Sequence, residues 1–129
     1  MSENKIYGIN NQYLTLSTRQ GANQVYNELH IIPKKIDEVA YKEIDNFLVN
    51  YFKEDIDKQN GGNGNNILDV QGLELDDNSI GIIKRFGQLN RDKHGIGAII
   101  ANGSPKLEHI METSVPKVKV DYVYDLLNL

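Results

Sequence analysis

Residues 80–101, IGIIKRFGQLNRDKHGIGAIIA, fit two different periods, and the period chosen sets the connectivity of the sheet around them. Read as a strand, Ile80, Ile82 and Phe86 share one face. Read as a helix, Ile80, Ile83 and Phe86 share one stripe. Gly81 and Gly87 would each cost a helix roughly 1 kcal/mol against alanine, which tips 80–86 toward strand. The apolar, glycine-punctuated stretch 95–101 then reads as a buried strand, paired with 80–86 across a loop at 88–94.

Upstream, the strongest periodicity runs from 37 to about 58. Ala40, Ile44, Phe47, Leu48, Tyr51, Phe52 and Ile56 recur at helical spacing, Asp37 can cap the first turn, and Ile36 can staple onto Tyr41. The spacing predicts one long amphipathic helix over 37–58, stopped by the flexible Asn/Gly-rich loop 60–66. Before it, 5–9 and 12–17 flank Asn10 and Asn11 as a hairpin, and 25–32 is a further strand closed by Pro33. Downstream, 67–75 reads as one or two short strands and 106–113 as a helical turn. Residues 117–123 form a strand with Lys117, Lys119 and Asp121 on its wet face. The expected architecture is a single α+β domain over 1–129, a mainly antiparallel sheet with one long helix across a face.

The chain has 129 residues, of which 40% are hydrophobic and 25% charged, enough for one domain with its own core. It has no cysteine, which excludes disulfides, thiolate metal sites and thiol nucleophiles. No apolar run approaches the roughly 18 residues of a membrane span, and MSENKIYGIN lacks the apolar segment of a signal peptide. The expectation is a cytoplasmic protein with no membrane partner. A net charge of −4 does not favour nucleic acid as a partner. Eleven lysines against three arginines, with fifteen asparagines and fifteen isoleucines, indicate A/T-rich codons. That bias fits a phage or mobile-element accessory protein, and it assigns many of the asparagines to codon usage rather than to amide chemistry.

Against this acidic background the run 84–94, KRFGQLNRDKH, carries +3, leaving −7 for the rest of the chain. Arg85 and Arg91 offer planar forks suited to phosphate or carboxylate, Lys84 and Lys93 add point charges, Phe86 can stack, and His94 closes the run. These six are the candidate ligand-binding residues, although no established phosphate-loop spacing is present. Asp69, Glu74, Asp76 and Asp77 fail the spacing of a calcium loop, and 76–79 reads as a turn. His30, His94 and His109 lie far apart in sequence, so no metal and no cofactor are expected. No serine sits in a nucleophile elbow. At the C-terminus, Tyr124, Leu126, Leu127 and Leu129 form a candidate association surface.

The expected function is that of a non-catalytic binding protein, and a homo-oligomer. It would engage an anionic, nucleotide-like ligand or a partner protein through 84–94. One alternative is a small metal-dependent enzyme on a phosphorylated substrate, using Asp69, Asp76 or Asp77 with His94. Another is a purely structural or assembly subunit.

Overall fold

A computed structural model describes residues 12–61, 64–114 and 117–126. The hairpin β1 (Leu14–Gln20) and β2 (Val25–Ile31) leads into α1 (Glu38–Lys53), a 3-10 segment (Ile56–Gly61) and β3 (Asn66–Asp69). Next come α2 (Asp77–His94), β4 (Ala98–Ala101), α3 (Pro105–Thr113) and β5 (Val120–Val123). In space the strands keep their chain order. β1 and β2 are antiparallel, in register from Leu14↔Ile31 to Gln20↔Val25. Every later pairing is parallel.

Each strand–helix–strand step advances the sheet by one place in the same direction. Right-handed crossovers repeated that way put their helices on one face. The core agrees: Leu29, Ile31, Leu68, Val70, Ala98 and Ile100 from the sheet share one buried cluster with Ile44 and Leu48 of α1, Ile82 and Phe86 of α2, and Leu107 and Met111 of α3. On the opposite face a smaller cluster gathers Tyr26, Ile67 and Ala101, with Ile99 and Leu126 packed against it.

The fold is α+β, but the sheet is mixed rather than mainly antiparallel, because 80–86 is helical. Three features outweigh its two glycines. Asp76 accepts a hydrogen bond from the Ser79 amide while Ser79 Oγ accepts one from the Asp76 amide, both at 2.9 Å, a reciprocal cap. Gly95, at φ 74°, closes the other end in the left-handed conformation that favours glycine. Ile82, Ile83 and Phe86 are fully buried, at about 1.5–3 kcal/mol each against roughly 1 kcal/mol per glycine. Gly87 is there for proximity: a Cβ on it would stand 2.7 Å from Val118 Cγ1 and 2.9 Å from Val120 Cγ1.

The single long helix over 37–58 is also corrected. α1 has 16 residues and α2 has 18. Asp37 does cap α1, accepting from the Ala40 amide at 2.8 Å. The helix ends at Lys53, Asp55 takes a left-handed φ of 59°, and the chain resumes as the 3-10 segment. That break turns Asp57 fully inward. Of the expected strands, 25–32 stands as β2, 12–17 as β1, 95–101 shortens to β4, 117–123 to β5, and 67–75 to β3 followed by a loop. β4 pairs with β3 and β5 rather than with 80–86. The expected strand at 5–9 lies outside the described residues. Among the described residues no helix is long and apolar enough to cross a membrane.

Candidate interaction surface on the second helix

The segment 84–94 is therefore the last three turns of a helix, not a loop, and helical geometry sorts its side chains onto different sides. Phe86 points into the core with no exposure, and is unable to stack on a ligand there. Lys93 and His94 turn toward the 3-10 segment. Lys93 Nζ donates to Asp57 at 2.6 Å and to Asp55 at 2.7 Å, and His94 Nε2 meets the other Asp57 oxygen. Burial alone would lower the Lys93 pKa, but its hydrogen bonds to Asp55 and Asp57 prevail and hold it above the ordinary lysine value. The same contact, with Lys93 as donor, holds the Asp55 carboxyl below its usual range.

Lys84, Gln88 and Arg91 follow the i, i+4, i+7 spacing of one stripe. Neither Lys84 nor Arg91 has an ion-pair partner among the described residues. Arg85, at the edge of this stripe, reaches across to α1 and pairs with Asp45 at 2.9 Å. Gln88 donates to Asp92 at 2.7 Å.

Two hollows open beside this stripe and share Gly81 and Lys84. One, of about 410 Å³, lies toward the N-terminal end of α2, among Leu75, Asp76, Asp77, Ile80 and Ile110. The other, of about 260 Å³, lies between Tyr41, Gln88 and Val118. Gly81 contributes no side chain to their shared floor. A Cβ there would press to 3.2 Å from the Tyr41 ring. The arrangement is a depression that is apolar over Tyr41 and Val118, bordered by Lys84 and Arg85, with Asp76 and Asp77 at the end nearest the start of α2.

The acidic candidates do not gather. Asp76 caps α2, and the Ser79 backbone amide holds its carboxyl below the usual range. Asp69 lies on β3, where His30 Nδ1 approaches Oδ2 at 3.1 Å and Asn102 donates to Oδ1 at 2.9 Å. Asp76 and Asp77 stand at the start of α2 and His94 at its end, roughly 25 Å away by helical rise. Among the described residues no group of three or more His, Asp or Glu is placed to hold a metal ion. At the C-terminus, Tyr124 is half exposed and its hydroxyl donates to Glu108 at 2.8 Å. Leu126 folds onto the chain's own sheet. Leu127 and Leu129 lie outside the described residues.

Sequence reasoning missed a buried amide network below the helices. Asn27 donates to the Asp57 carbonyl at 2.6 Å, Tyr51 donates to Asn66 at 2.7 Å, and Asn66 donates to Asn90 at 2.6 Å. All of these side chains are buried. Burial first, and then the Asp57 charge, pushes the Tyr51 hydroxyl well above its ordinary pKa. Three of the asparagines assigned to codon usage are thus structural. Their signal was hidden because twelve other asparagines surround them in the composition. The sequence matches no family model and no curated protein.

Proposed function

We propose that this chain is a non-catalytic binding protein that engages an acidic segment of a partner protein through the outer face of α2. The observation that carries the reading is the outward stripe of Lys84 and Arg91, both without an ion partner among the described residues, with the apolar hollow between Tyr41 and Val118 beside Lys84. Seven residues of helix separate the two cations by about 10 Å along the axis. That span suits carboxylates spaced along a peptide or helix better than a single phosphate. An acidic partner would be steered by these charges and held by the apolar contact, so its association would weaken with salt.

A nucleotide-like ligand is less well supported, because the six residues first grouped for it divide between the core, the Asp57 contact and the outer stripe. The monotonic strand order also lacks the reversal that creates a ligand crevice in open parallel sheets. Leu126 packing on its own sheet removes one support for self-association through the tail.

The test places a photo-crosslinking residue at Gln88 in the native host. A discrete adduct is expected, and the charge reversal of Lys84 and Arg91 to Glu should abolish it without changing the melting temperature. An adduct indifferent to that reversal overturns the reading. So does a melting shift with inorganic phosphate or a nucleotide that needs Lys84 and Arg91.

A further inference from the structure

A second groove, of about 370 Å³, runs between α3 and the β5 edge of the sheet and adjoins the α2 surface only at Val118. Glu108, Met111 and Glu112 line it from the helix and Val120, Tyr122 and Tyr124 from the strand side. The two tyrosine rings stack with an interplanar angle of 11° at 6.4 Å between centroids. The Tyr122 hydroxyl is buried and has no hydrogen-bond partner among the described residues. A buried, unpaired hydroxyl is costly, but this one has almost no exposed surface, so a ligand in the groove meets the Tyr122 ring rather than its oxygen. Burial first, and then the negative charges of Glu108 and Glu112, pushes its pKa far upward and marks the local field as negative.

Lys117, Lys119 and Asp121 border the groove as well. β5 begins at Val120, so of these three only Asp121 has the alternating orientation of a strand residue, away from Val120 and Tyr122. The Lys119 stem lies against Gly97 rather than beside the tyrosines. The charges that act on the two tyrosine hydroxyls are those of Glu108 and Glu112.

Flat aromatic faces beside carboxylates suit an organic cation. Of the protein cations, arginine fits best: its planar guanidinium stacks on tyrosine, and its five donors can serve both carboxylates together. β5 ends the sheet among the described residues, so a row of its backbone groups faces outward. We propose that this groove receives an extended basic segment of a partner protein, which pairs its main chain with β5 and lays one arginine side chain against Tyr122, Tyr124, Glu108 and Glu112. The specificity is opposite in sign to that of the α2 face, and either surface can fail its test without affecting the other.

The experiment titrates the full chain, ¹⁵N-labelled, with a capped pentapeptide that has arginine at its centre, flanked by valine and threonine. Saturable amide shifts are expected at 120–124 and along 108–112. A norleucine-centred peptide should bind at least about tenfold more weakly. Glu108→Gln with Glu112→Gln should lose a similar factor, and Tyr124→Leu, which removes the exposed ring, should weaken binding while keeping the spectrum of the folded chain. Absence of saturable shifts, or equal binding of the norleucine peptide, overturns the proposal. Spermidine or arginine amide binding as tightly as the peptide also overturns it, because the site would then be one for a free small cation.

Discussion

Asp57 and His94 are 37 positions apart in the chain, yet the imidazole and the carboxylate meet where α2 ends, and Asp57 has no exposed surface at all. Lys93 closes on the same carboxylate from the adjacent position. One buried acid thus anchors the end of α2 to the segment that follows α1. Asp57→Ala should destabilise the fold by about 3 kcal/mol in urea unfolding, because it removes the buried carboxylate that Lys93 and His94 share. Asp55→Ala, which removes only an exposed partner, should cost much less. Equal losses in the two variants would show that burial of Asp57 carries no special weight.

Alkaline pH should weaken the fold through three groups. Lys93, Tyr51 and Tyr122 all have folded pKa values raised above their ordinary ones. A raised folded value means that the native state holds its proton longer than the unfolded chain does. The associated stability is complete below about pH 10 and is lost as pH rises beyond it. Urea midpoints at pH 8 and pH 10.5 should differ in the wild type. They should differ less in Lys93→Met and in Tyr51→Phe.

The cap at the start of α2 makes the opposite prediction. Asp76→Ala should cost about 1 kcal/mol at neutral pH, and Asp76→Asn a fraction of that. The Asp76 carboxyl is held below its usual range, so its contribution is present above the ordinary carboxylate pKa and fades as pH falls through the folded value. The gap between wild type and Asp76→Ala should narrow in strong acid, as read by denaturation at pH 7 and pH 2.5.

Gly87→Ala should destabilise by about 1–3 kcal/mol despite the better helix propensity of alanine, because its Cβ would collide with Val118 and Val120. Pairing it with Val118→Ala should recover part of the loss. Equal stability of Gly87→Ala and the wild type would mean that α2 has room to move off the strand.

Gly81→Ala separates binding from folding. Its Cβ meets only the Tyr41 ring, at 3.2 Å, so the melting temperature should hold or rise. Adduct formation from position 88 should fall as the shared floor of the two hollows fills. An unchanged yield would move the partner away from this depression.

Several elements were legible from local pattern alone. The Asp37 cap and the apolar stripe at Ala40, Ile44 and Leu48 announced α1, and the alternation after residue 12 announced β1. The helix α2 was not legible, because the reasons for Gly81 and Gly87 lie on other elements. Gly87 is small on account of Val118 and Val120, which follow it by more than thirty positions, and Gly81 faces Tyr41, forty positions before it. The candidate site was half visible: Lys84, Arg85 and Arg91 were chosen for their charge, but Phe86 and Lys93 face elsewhere, and only the helical period divides them.

Composition and period were enough to establish an α+β chain with a core of its own, a helix after residue 37, and the absence of any thiol chemistry. Those properties depend on residue types and on spacing within a few turns. The parallel order of the strands, the inward turn of Asp57, the amide network around Asn66 and the orphaned Tyr122 hydroxyl arose only when distant segments packed. Each of them depends on what a residue meets across the fold, and burial, the energy that selects among such meetings, belongs to the assembled chain rather than to any stretch of it.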